Sequence, residues 1–161
     1  MSYLNLDKKQ TSETVEKLNI LLADYHLYYQ KLRNFHWNIL GKSFFYLHDK
    51  FEELYEDAKT KIDEIAERIL TLRAQPVSNL TDYLKMSNLK ESKSDLSDTE
   101  MVKTLLQDHG IMLKQMGDVI EKAEEGEDEG TVDLIGAYIR EMEKVSWMLD
   151  AWATKTGGSS K

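Results

Sequence analysis

The chain of 161 residues contains no cysteine. That excludes disulfides, thiolate catalysis, iron–sulfur clusters and thiolate zinc sites, so any metal must be held by His, Asp and Glu. Only four histidines exist: His26, His36, His48 and His109. Proline occurs once, at Pro76, and glycine eight times, which favours helix over a turn-rich β architecture. Basic residues are the minority: 21 Lys and Arg stand against 29 Asp and Glu, a formal net charge of −8. Such a balance argues against a general nucleic-acid binder, because phosphate affinity comes from clustered Lys and Arg. No apolar run approaches the roughly 18 residues of a membrane span. Asp7, Lys8, Lys9 and Glu13 break up the start, so no secretory signal is expected. The length suits one domain able to bury about 70% of its unfolded surface. A soluble cytoplasmic domain is the expectation.

Periodicity is helical throughout. Val15, Leu18, Leu22, Tyr25, Tyr29, Leu32 and His36 recur at steps of three and four, with Thr11 or Ser12 as cap and Gly41 beyond the end. A second stripe runs Leu47, Phe51, Leu54, Ala58, Ile62, Ile65, Ile69 and Leu72, from a cap at Ser43 to a stop before Pro76. Ser97 and Glu100 form a capping box that opens a third stripe: Val102, Leu106, His109, Leu113, Met116 and Ile120, closed by Gly126. The fourth is Ile135, Tyr138, Met142, Val145, Leu149 and Trp152. Short links make two antiparallel hairpins, and about 25 residues between them (Arg73 to Ser97) can travel the bundle's length, with a short helix near Asn79–Met86. The expected fold is all-α: a ferritin-like four-helix bundle whose long crossover between helices two and three carries a short helix. The expected organisation is an arm over 1–10, the bundle over 11–155 and a flexible tail over 156–161.

The second helix also carries His48, Glu52, Asp63 and Glu67. His48/Glu52 and Asp63/Glu67 are i,i+4 pairs, each projecting from one face and able to grip one cation. About 16 Å along the axis separates the pairs, too far for one metal with bonds near 2 Å. If two copies of this helix cross antiparallel about a two-fold axis, His48/Glu52 of one meet Asp63/Glu67 of the other, giving two equivalent sites. Nitrogen and oxygen donors suit iron, manganese or zinc. A ferritin-like bundle ordinarily holds its di-iron site internally through Glu-x-x-His motifs. None occurs: Ala23, Arg33, Phe45 and Leu106 stand three residues before the four histidines.

Plainer readings stand beside these. Acidic residues on a helix flank are ordinarily solvated, and Lys61 and Arg68 stand near enough to pair with Asp63 and Glu67 for about 0–1 kcal/mol each. His36 also reads as a satisfied buried histidine, His109 as structural, and His26 as exposed or structural. Tyr25, Tyr29, Trp147 and Trp152 read as core, and Trp37 as packing. The acidic run Glu121–Glu129 reads as a solvated loop.

His36-Trp37-Asn38-Ile39-Leu40-Gly41, followed by Leu47-His48 and Glu52, resembles the signature of the Dps family (DNA-binding protein from starved cells). Ile62-Asp63-Glu64-Ile65-Ala66-Glu67-Arg68, with Leu72 and Pro76, resembles that family's second signature, and the bundle plan covers nearly the whole chain. Two positions depart from the pattern. Arg73 stands where a small turn residue is usual, and Glu52 replaces the commoner Asp, lengthening that arm by one methylene.

The resemblance implies a hollow homododecamer with ferroxidase sites between two-fold related subunits. His36, His48 and Glu52 would come from one subunit and Asp63 and Glu67 from its mate. It implies oxidation of Fe(II), with hydrogen peroxide preferred over O2, and storage of Fe(III) inside; zinc or manganese would suit the same donors. Asp128 and Asp133 are expected near an iron-entry pore. Family members that bind DNA directly carry Lys/Arg-rich tails, whereas here only Lys8 and Lys9, then Lys155 and Lys161, are available. DNA binding is therefore expected to be weak or absent, and the expected location is the cytoplasm, with nucleoid association as its alternative. The alternatives are a DNA-compacting structural protein with a vestigial metal site, and an adhesion-like or signalling bundle without chemistry.

Overall fold

The computed structural model describes residues 3–154. Five helices follow in order: α1 (Lys8–Asn38), α2 (Phe44–Thr71), α3 (Leu80–Met86), α4 (Asp98–Glu125) and α5 (Glu129–Ala153). No strand occurs among the described residues. The four long helices form the all-α, ferritin-like bundle expected from the periodicity, and α3 is the short helix of the crossover. Residues 155–161, including the expected tail over 156–161, lie outside the described residues.

The α1–α2 and α4–α5 hairpins pack through α1, which touches α2, α3 and α4. Fully buried Leu18, Leu22, Leu32 and Phe35 of α1 meet Phe51 and Ile65 of α2, Met112 and Met116 of α4, and Ile135 of α5 in one apolar cluster. A fully buried Leu or Phe contributes about 1.5–3 kcal/mol relative to exposure, so this seam holds the hairpins together.

The crossover runs alongside α1. Val77 N–H donates to Asn19 Oδ1 (2.8 Å), and His26 stacks on Tyr83 with ring centroids 3.8 Å apart. Buried Asp24 accepts from Ser87 Oγ (2.7 Å) and Asn88 N–H (2.6 Å), and Asn34 Nδ2 donates to Ser92 O (3.1 Å). From Asn19 to Asn34 is about 22 Å of helix, so the segment returns the chain along the bundle.

Local details differ from the sequence expectations. α1 begins at Lys8 rather than at a Thr11 or Ser12 cap; Asp7 Oδ1 accepts from Lys9 N–H (2.9 Å) and starts the helix earlier. Ser97 and Glu100 make both bonds of the capping box, whereas Ser43 makes no side-chain cap bond. The α4 core is broader than its stripe: Met101, Leu105, Met112 and Val119 are buried while Leu106, Leu113 and Ile120 are half-buried, because α4 packs against both α1 and α5. Trp147 is 67% exposed and not core. It lies two residues from Val145 and from Leu149, on the opposite side of α5 from the buried stripe. Arg73 (φ 64°) and Glu127 (φ 54°) occupy the left-handed region, each in the 6→1, 5→2 hydrogen-bond pattern that ends a helix. The pattern outweighs roughly 1–2 kcal/mol of Cβ strain at each position.

Candidate metal centre

The α1–α2 hairpin brings His36, in the last turn of α1, against His48, in the first turn of α2. Gly41 (φ 99°) lets the short link reverse. The rings stack with centroids 3.8 Å apart. Each Nδ1–H donates to the other residue's main-chain carbonyl: His36 Nδ1 to His48 O and His48 Nδ1 to His36 O, both at 2.8 Å. The bond to His36 O also satisfies a carbonyl at the end of α1, where helical partners run out.

This clasp fixes the tautomer. A carbonyl only accepts, so both Nδ1 atoms carry protons, and in the neutral rings both Nε2 atoms hold free lone pairs. Metal-ligating histidines are ordinarily arranged this way, one nitrogen donating to a carbonyl and the other open for the cation. The expectation of His36 as a buried, satisfied residue is half met: it is buried, but only one nitrogen is satisfied. Phe44 stacks on His48 at 5.0 Å and Tyr55 meets His36 edge-on at 5.3 Å, locking the ring orientations.

Glu52, one turn beyond His48, is exposed; its Oε1 accepts from Tyr55 Oη at 3.4 Å. No motif marks Tyr55, although its i+3 spacing from Glu52 is a readable signal. Its phenol is pushed up by desolvation and then by the adjacent Glu52 and Glu56 charges. Asp63 and Glu67 are also exposed. The cations expected to pair with them are committed elsewhere. Lys61 Nζ lies 2.5 Å from Asp57 Oδ2 and 2.6 Å from Glu141 Oε2, and Arg68 NH2 lies 2.5 Å from Asp128 Oδ1. Among the described residues the Asp63 and Glu67 carboxylates have no hydrogen-bond or ion-pair partner.

One subunit therefore presents a two-histidine clasp beside Glu52 and, three turns along α2, a pair of unpartnered carboxylates. Among the described residues no three His, Asp or Glu side chains converge on one point. The donor types fit a hard or borderline divalent cation, but each half is short of a coordination shell.

The other expected positions divide clearly. Asp128 is buried and is no pore-lining carboxylate: it caps α5 by accepting from Thr131 N (3.1 Å) and Oγ1 (2.6 Å) and pairs with Arg68. Its place at the turn before α5 makes it a cap, while Asp133 remains exposed. His109 is buried between Tyr28 and Ser146, as a structural residue. Trp37 is exposed beneath the Arg33 guanidinium, 4.8 Å from its ring centroid.

Comparison with known proteins agrees with this architecture. Residues 15–158 match the family model described as a ferritin-like domain. The chain is 41% identical over 140 residues to DNA protection during starvation protein 2 of Bacillus anthracis, covering 87% of this chain and 96% of that one. Among solved structures it resembles the Dps protein of Vibrio cholerae O1, described as a member of a broad superfamily of ferritin-like diiron-carboxylate proteins. The TM-score is 0.92 at 45% identity, covering 96% and 97% of the two chains. Dps from Staphylococcus aureus follows with a TM-score of 0.88 at 37% identity, covering 90% and 97%. With its clasped histidines, its paired carboxylates and these relatives, the chain belongs to the Dps family of ferritin-like proteins.

Proposed function

We propose that this protein stores iron and removes Fe(II) by oxidising it at sites shared between two subunits. His36, His48 and Glu52 of one subunit and Asp63 and Glu67 of the other hold the substrate iron. The observation that carries this reading is a pair of incomplete donor sets at the two ends of α2: the clasped histidines beside Glu52, and the Asp63 and Glu67 carboxylates, which have no partner among the described residues. Two copies related by a two-fold axis complete both sets at once. The diiron-carboxylate chemistry named for the Vibrio cholerae relative supports the choice of iron.

The roles follow from the donors. The Nε2 atoms are the nitrogens that each clasp leaves turned away from the carbonyls, and so available as ligands. Carboxylates stabilise the added positive charge as Fe(II) becomes Fe(III). Hydrogen peroxide balances the step: two Fe(II) and one H2O2 give two Fe(III) and two hydroxides. Tyr55 holds Glu52 on its own oxygen and braces His36, limiting how far the longer Glu arm wanders. Zinc or manganese would compete for the same donors.

The assembly we propose is a dodecameric shell in the cytoplasm. Twelve copies at −8 each give a formal shell charge of about −96, which draws cations and opposes DNA. The DNA protection for which such relatives as that of Bacillus anthracis are named is here chemical: Fe(II) and peroxide are consumed together. Stopped-flow mixing of Fe(II)-loaded protein with peroxide, read by Fe(III) absorbance, tests the reading. His48→Ala combined with Asp63→Ala should slow oxidation about 100-fold; an unchanged rate rejects the site.

A further inference from the structure

The bundle has one open seam. α1 packs on α2 and α4, and α4 on α5, while α2 and α5 have no comparable packing. A cleft of about 510 Å³ lies between them, reaching down to Tyr25 and Tyr28 of α1 and His109 of α4. Polar side chains span the gap: Tyr138 Oη donates to Glu64, and the Lys61 ammonium ties α2 to Glu141 of α5. In ferritin-like di-iron bundles, carboxylates on facing helices hold the metals inside the bundle. This chain lacks the Glu-x-x-His donors, yet Asp57, Glu64 and Glu141 still stand on the two helices that flank the cleft.

Lys61 lies among them. It is buried, although lysine ordinarily keeps its charged head in water. Nζ lies 2.5 Å from Asp57 Oδ2 and 2.6 Å from Glu141 Oε2, with the Tyr138 ring centroid at 5.2 Å. One carboxylate from each helix and the negative face of a ring therefore converge on a single cationic point. An ion pair that served α2 alone would need only Asp57, at i,i+4. The second carboxylate, reaching from α5, makes the arrangement that of a held cation. The Asp57 and Glu141 side chains are 54% and 52% exposed, so a hydrated ion has access to both. One or two carboxylates completed by water are enough to hold a hard divalent cation.

We propose that Lys61 determines where this chain binds iron: its ammonium occupies the position between Asp57 and Glu141 that a divalent cation would otherwise take. The charge is tethered to α2, and it repels a second cation at contact distance. Fe(II) is thereby kept out of the open seam and left to the sites shared between subunits. The inference rests on the shared-site reading for the destination of that iron, and on the geometry within one chain for the exclusion.

Metal counting on the full-length protein tests this. Asp63→Asn with Glu67→Gln neutralises the carboxylates proposed for the shared sites. Mn(II) alone is the probe, its free fraction read by electron paramagnetic resonance. In that background Lys61→Met, which keeps most of the stem and loses the charge, should bind about one further Mn(II) per chain. That ion should bind roughly tenfold or more tighter than any Mn(II) held with Lys61 in place. Lys61→Arg, which keeps the charge, should add none, and Glu141→Gln added to Lys61→Met should remove the extra ion. Mn(II) should also raise the Tm of Lys61→Met and leave that of Lys61→Arg unmoved. Where Lys61→Met does not fold, Lys61→Gln takes its place. Equal Mn(II) binding by the uncharged variant and Lys61→Arg overturns the proposal, as does extra binding that survives Glu141→Gln. The shared-site reading fails separately, when Asp63→Asn with Glu67→Gln and Lys61 intact oxidises Fe(II) at the parent rate.

Discussion

Two histidine environments in this bundle share a chemistry and differ in what is left over. In the interior, Ser146 donates its hydroxyl proton to Met142 O (2.7 Å), so His109 Nδ1–H donates to Ser146 Oγ (2.7 Å) and Nε2 accepts from Tyr28 Oη (2.8 Å). Both ring nitrogens are used, and burial pushes the ring's pKa down to about 4. Beside it, Asp108 is buried against Lys31 at 2.6 Å. At the hairpin, His36 and His48 spend only Nδ1. Among the described residues the Asp63 and Glu67 carboxylates on the same outer face have no partner. A closed polar network specifies a core; an open one is a half-built site. The number of unsatisfied lone pairs, rather than the number of histidines, separates the two regions.

The comparison breaks hardest in the interior. Asp108→Ala strands the Lys31 ammonium, which is as buried as its partner, and should cost about 3–5 kcal/mol by chemical denaturation. Oxidation per folded subunit should stay at the parent value. On the open face the pattern reverses: Asp63→Asn with Glu67→Gln should slow Fe(II) oxidation about 100-fold, about 2.7 kcal/mol in the barrier, while the denaturation midpoint moves little. A large stability loss there would mean that those carboxylates are structural.

A pH titration sharpens the comparison at smaller scale. His109 has a folded pKa below its unfolded value near 6.5, so the unfolded chain takes up the proton first as pH falls. The ring's contribution is full above about pH 6.5 and is lost progressively towards pH 4, about 2 kcal/mol by pH 5. His109→Gln should flatten that part of the stability profile. The smallest effect expected is on nucleic acid: in a gel shift at about 0.15 M salt, duplex DNA should stay unbound. A tight shift there would show that the chain's acidic excess does not decide its partners.

Much of the fold is legible in the residues. Steps of three and four mark four long helices, the capping box marks the start of α4, and the length from Arg73 to Ser97 implies a crossover. The helix start at Lys8 was not legible, because Asp7 acts through one side-chain bond that periodicity does not show. Arg73 and Glu127 hold left-handed conformations that the sequence suggests for glycine; hydrogen bonds closing each helix override that preference. At the site, spacing isolates His48/Glu52 and Asp63/Glu67 as two pairs too far apart for one metal. Spacing is silent on the reciprocal clasp that leaves Nε2 open, since this depends on how closely the two helix ends approach. It is equally silent on Asp128, whose position in an acidic run conceals a buried cap.

The central claim is that each site takes residues from two copies of the chain. His48→Ala and Asp63→Ala subunits, each inactive alone, can be unfolded, mixed in equal amounts and reassembled. Half of randomly formed pairs are mixed, and each mixed pair holds one intact site of two, so oxidation should return to roughly a quarter of the parent rate. Recovery no greater than the sum of the separate variants, with mixed pairs verified by mass, would place the site within a single chain and contradict the account.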